Sequence, residues 1–118
     1  MKDAAANSFL PLAPATLHIL LSLAGENLHG YGIMQEVARQ SEGRYKLGPG
    51  TLYDNLQRLM SQGLVEEAVG RVDKENPRRR NYRLSSLGRG VLAAEISRLE
   101  GVVREARTHL KAPLPRRA

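Results

Sequence analysis

Apolar residues first fall into a regular pattern at Pro14. Leu17, Leu20, Leu21 and Ala24 recur at the i, i+3, i+4, i+7 spacing that places side chains on one helix face. Pro14 suits the first turn of such a helix, and Gly25 suits the position just past its end. A short link, "ENLHG", precedes a second helical stretch, "YGIMQEVARQ". There Ile33 pairs with Val37 and Met34 with Ala38, each four residues on, while Gly30 and Gly32 weaken the start. The pattern fades at "SEG" and resumes behind Gly48-Pro49-Gly50. From Thr51, a stripe of Leu52, Leu56 and Leu59 runs beside a second of Tyr53, Leu56 and Met60. Asp54, Asn55, Gln57, Arg58 and Ser61 form the polar side, and Gly63 closes this third helix.

The period then shortens. "LVEEAV" and "NYRL" read as two short strands, the second alternating cleanly and the first imperfectly. Between them lies "GRVDKENPRRR", with Asn76-Pro77 as a turn signal. Ser85 or Ser86 can cap a last helix running to about Leu110, roughly 37 Å at 1.5 Å per residue. Leu92, Ile96, Leu99, Val103, Ala106 and Leu110 are spaced four, three, four, three and four. That is the seam of a helix pairing with another helix, and it predicts a homodimer. Gly88, Gly90 and Gly101 lower intrinsic helicity, so packing must hold this helix. Residues 1–13 and 113–118 lack periodicity and are expected to be flexible termini.

Three helices followed by a two-stranded wing is the order of a winged helix-turn-helix. The predicted class is mainly α, with a DNA-binding domain over 14–84 and a long C-terminal dimerisation helix over 85–112. The third helix is then the recognition candidate, whose N-terminal turn enters a major groove. Its first N–H groups are unpaired and favour negative charge. Gly48 and Gly50 would let the backbone turn sharply and come close to a duplex, although Gly-Pro-Gly is also an ordinary interhelical loop.

Composition sharpens this picture. The 118 residues suggest one domain, and with 4% aromatics and no Trp the core must rest on Leu, Val, Ile and Ala. A net charge of +6 and a pI near 10.2 point to a polyanionic partner. Six basic residues (Arg71, Lys74, Arg78, Arg79, Arg80, Arg83) and two acidic ones lie between 71 and 83, giving this segment four of the six net charges. A wing there would lie along phosphates. With no Cys, a disulfide scaffold, a Cys-bearing zinc site and a thiol nucleophile are excluded. No run approaches a membrane span, and "LHILLSLAG" lacks the basic approach of a signal segment. His18, His29 and His109 are isolated, and no P-loop lysine follows "GPG". Neither enzyme activity, a metal nor a cofactor is expected. An RNA-binding winged helix and a protein-interaction module remain as alternatives. The two-fold seam favours duplex DNA over single-stranded RNA.

Three segments also resemble the PadR-type transcriptional regulators. "ILLSLAGENLHGYGIMQEV" resembles the family's first two helices, with its Gly-Tyr pair at Gly30-Tyr31. "LGPGTLYDNLQRLMSQGLVEE" resembles its recognition helix, with Gly-Thr-Leu-Tyr at Gly50 to Tyr53. "RRRNYRLSSLGRGVL" resembles its wing strand and the start of its last helix, with Asn81 replacing a tyrosine and Ser85 a threonine. The resemblance implies a cytoplasmic, homodimeric repressor on an imperfect palindrome of double-stranded DNA. It implies that Tyr31, Thr51, Tyr53 and Asn55 face DNA or support its contacts. It implies that the wing arginines hold phosphates, and from the residues themselves Lys46, Gly50 and Arg58, with Arg71, Lys74, Arg78, Arg79 and Arg80 of the basic segment, complete the candidate DNA-binding set. Tyr53 and Tyr31 could equally pack their rings inside and offer only their hydroxyls. A small-molecule effector at the dimer interface is a further implied partner. The missing Trp argues against a stacked flat drug.

Overall fold

The computed structural model describes residues 2–68 and 80–111. In chain order they form α1 (Lys2–Asn7), α2 (Pro14–Gly25), β1 (Leu28–His29), α3 (Gly30–Gln40) and α4 (Pro49–Ser61). β2 (Val65–Glu67), β3 (Asn81–Leu84) and α5 (Ser86–Lys111) complete the order. The apolar stripes converge as their spacing predicts. Ile19, Leu20 and Leu23 of α2, Ile33 and Val37 of α3, and Leu52, Leu56 and Leu59 of α4 are wholly buried against one another. Each such side chain contributes roughly 1.5–3 kcal/mol relative to exposure. Leu64, Val65, Tyr82, Leu84, Val91 and Leu92 close the same core from the sheet and α5.

Three features depart from the sequence expectation. The N-terminal arm, expected to be flexible, contains α1 and lies on α5, with Ala6 buried and Phe9, Leu10 and Leu12 against the core. A six-residue helix is too short to display a period, and only tertiary contact stabilises it. The link before α3 contains β1, which pairs antiparallel with β3 through Leu28↔Tyr82 and His29↔Asn81. The sheet therefore has three strands in the order β1-β3-β2, where the wing alone would supply two. Two residues cannot show alternation. Finally, α4 starts at Pro49, so Gly50 belongs to its first turn, and Gly48 is the N-cap at φ −78°. That conformation is open to any residue. The glycines are not needed for the bend, and a Cβ added at Gly48 or Gly50 would meet only open space.

The corner from α4 into α5 explains where the long helix points. Gly63 turns at φ +79°, a conformation that favours glycine. Ser85 donates to the Gly63 carbonyl, and its Oγ accepts from the Gly88 N–H at 2.9 Å, capping α5. Gly88 then lies against the Leu64 carbonyl, 2.1 Å from where a Cβ would sit. The predicted seam divides along the helix. Leu92 is buried, Ile96 packs partly on the core and Leu99 is half-buried. Val103 is 48% exposed, Leu110 81%, and Ala106 is exposed too.

Candidate nucleic-acid interface

The exposed face of α4 is built from the positions its buried stripe leaves over. With Leu52, Leu56 and Leu59 inside, Thr51, Tyr53, Asp54, Gln57 and Arg58 point outward and Asn55 lies at the edge. Asn55 donates from Nδ2 to the Thr51 carbonyl at 2.9 Å and accepts from Arg58 through Oδ1. These two DNA-binding candidates are therefore joined, with the Arg58 fork held by its neighbour. Lys46 is exposed in the loop before α4, and Gly50 is exposed in its first turn.

The start of α3 meets this face. His29 caps α3 by accepting the Gly32 N–H at Nδ1, 3.1 Å away. Tyr31 is 60% exposed, so its ring does not pack inside. Tyr53 is intermediate between the two open readings. It is 46% exposed, yet its phenol end lies directly on Gly30. Tyr82 sits beneath on β3 with its hydroxyl pKa pushed up, chiefly by burial, with the neighbouring Tyr53 adding to the shift. Tyr53 thus brings α4 onto the start of α3, and Tyr31, Thr51 and Tyr53 are all exposed.

On the sheet side, Arg80 is exposed and pairs with Glu67 at 3.2 Å, and Arg83 pairs with Glu66 at 3.0 Å. Exposed pairs of this kind contribute little stability. Arg71, Lys74, Arg78 and Arg79 lie outside the described residues.

Other polar groups have structural partners that the sequence did not announce. His18 Nδ1 lies 2.9 Å from Gln40 Oε1, and Gln40 Nε2 donates to Ser22 Oγ at 3.3 Å, tying α2 to the end of α3. Glu95, 1% exposed, accepts the Leu12 N–H at 3.0 Å and two bonds from Arg98 at 2.6 and 2.9 Å. The Arg98 guanidinium holds the Glu95 carboxyl below the usual range, overcoming the opposite effect of burial, and Leu12 helps. Glu95 falls among seam residues and gives no sequence signal of its own. Among the described residues no group of three His, Asp or Glu could hold a metal ion, and no helix is long and apolar enough to cross a membrane.

A family model described as the transcriptional regulator PadR-like family matches residues 19–94. This chain belongs to the PadR-like family of transcriptional regulators. The PadR match runs from the core of α2 through the sheet into α5 and stops at Ala94, before the exposed part of the seam. A transcriptional regulator of Mycobacterium tuberculosis is 38% identical over 93 residues, covering 79% of this chain and 82% of that protein. A PadR family transcription regulator from Clostridium difficile has the same fold at TM-score 0.65 and 23% identity, covering 83% of this chain and 99% of that one. A PadR-like regulator from Bacillus cereus aligns at TM-score 0.70 and 18% identity, over 83% of this chain and 92% of its own. PadR proteins are transcription regulators, not enzymes.

Proposed function

We propose that this PadR-family chain is a cytoplasmic, homodimeric repressor that binds an imperfect palindrome in duplex DNA. The observation that carries the reading is the outward face of α4. Its first turn is uncovered, its polar side is exposed, and both Tyr53 on it and Tyr31 at the start of α3 are exposed. Residues 14–84 are the reading head, with Asn55 and Arg58 at base edges. Lys46, Thr51, the tyrosines and the basic segment from Arg71 to Arg80 are at phosphates. Residues 85–112 are the dimerisation helix, where Leu99, Val103, Ala106 and Leu110 meet the partner. Apolar side chains as open as Val103 and Leu110 on a helix of this length need such a cover. A small-molecule effector would sit beside this seam. A cavity of about 490 Å³ there is lined by Arg89, Leu92, Ala93, Ile96, Ser97 and Glu100, and a partner helix would roof it.

Selection of bound sequences from random duplex DNA tests the reading. A two-fold symmetric motif is expected, with half-sites about one helical turn apart. Enrichment of no motif, or stronger binding to RNA than to any duplex, would overturn it.

A further inference from the structure

Gly30 is the first residue of α3 and is buried. Its backbone does not demand glycine, since Gly43 and Gly63 are the described glycines with positive φ. The demand comes from a neighbour. A Cβ at Gly30 would lie 2.1 Å from Tyr53 Oη, 2.8 Å from Cζ and 3.3 Å from Cε1. No carbon atom fits that close to a phenol. Gly32, one residue beyond Tyr31, differs: a Cβ there would meet nothing nearer than 3.4 Å. Of these two glycines at the start of α3, Gly30 is the tightly fitted one, against the tip of one side chain.

Tyr53 remains 46% exposed, so the contact buries little area, and the atoms nearest Gly30 are the far end of a side chain that has room to swing aside. What it does settle is where the hydroxyl goes. The phenol end is held at the first turn of α3, on Gly30, whose chain neighbour Tyr31 is exposed. We infer that Gly30 is a positioning residue, which seats the Tyr53 hydroxyl on bare backbone so that it meets a DNA phosphate without searching. The inference rests on duplex binding as proposed above. A hydroxyl donating to a phosphate makes a charge-assisted bond, and holding it in place beforehand reduces the entropy lost on binding. With alanine at 30 the ring must swing away from α3, taking the hydroxyl out of register.

Affinity for a duplex obtained by selection, read by fluorescence anisotropy at fixed salt, tests this in five proteins. They are wild type, Gly30→Ala, Tyr53→Phe, Tyr53→Leu, and Tyr53→Leu combined with Gly30→Ala. Gly30→Ala and Tyr53→Phe should each weaken binding about tenfold, the effect of one hydrogen bond to a charged acceptor. In the Tyr53→Leu background, Gly30→Ala should change affinity by less than about twofold, because the clash has gone. Equal losses in both backgrounds, or no loss from Gly30→Ala, overturn the inference. So does wild-type affinity in Tyr53→Phe, which would leave duplex binding itself intact. A wild-type protein that binds no duplex removes both readings. Should Gly30→Ala lose its cooperative melt, the double variant must regain it, and Tyr53→Phe then carries the affinity test. A double variant that also fails to melt overturns the inference.

Discussion

Val103→Asp separates the fold of one chain from the assembly of two. Within a single chain Val103 is 48% exposed, on the part of α5 beyond the core. Asp and Val have similar helix propensities, so the substitution should change monomer stability by no more than ~0.5 kcal/mol. In the proposed dimer the same position is covered, and the two-fold axis repeats the change in both chains. An unpaired carboxylate there loses its hydration. Arg107 one turn on can offset part of that loss, leaving a cost of ~2 kcal/mol per chain. Two chains together lose ~4 kcal/mol, which weakens dimerisation about a thousandfold. Sedimentation over a range of micromolar concentrations measures this, and far-ultraviolet circular dichroism shows that α5 persists. Affinity for a full palindrome should fall towards that of a half-site, since the second head is no longer tethered. An unchanged association constant, or a wild type that sediments as a monomer, would refute the reasoning.

Glu95→Ala should cost about 1–3 kcal/mol in urea unfolding by leaving the Leu12 N–H without its acceptor, whereas a cost near zero would mean that the arm is not held there. The depressed Glu95 pKa gives the sign of the pH effect. Its stabilisation is present above the unfolded carboxylate pKa and is lost as pH falls through the folded value, a component that the variant should lack in acid titration. Asn55→Ala should relax preference at a particular base pair by ~1–3 kcal/mol, also freeing Arg58, and a loss uniform over all sequences would assign the pair to backbone contacts instead. Replacing Arg78, Arg79 and Arg80 together by Ala should weaken all duplexes alike. It should also flatten the log K versus log salt slope by up to ~0.9 per lost contact; an unaltered slope removes them from the phosphates.

The long helices were legible because each carries its period over three or more turns. Leu52, Leu56 and Leu59 needed only to be counted, and the core uses them as counted. The pattern before α3 was equally visible as a break, but its content was not. Leu28 and His29 become a strand only because β3 passes beside them. At the candidate interface the outward residues of α4 followed from its stripe. The Asn55–Arg58 bond and the seat of Tyr53 are set by the fold, because both depend on side-chain direction rather than spacing.

Periodicity along the chain determined which faces of α2, α3, α4 and α5 are apolar, since burial must repeat with the helix itself. It also located the heptad seam, as the count of charges located the basic segment. Tertiary structure decided how far that seam is consumed by the chain's own core. Leu92 disappears beneath the sheet corner while Val103 and Leu110 do not, because Gly88 lets α5 cross Leu64 closely and then carries it outward. It decided that the arm docks, through a backbone N–H that has no side-chain signature, on a carboxylate 83 residues away. And it decided why residue 30 is glycine. In the sequence that glycine merely weakens a helix start; in the fold it is the space that the Tyr53 phenol occupies.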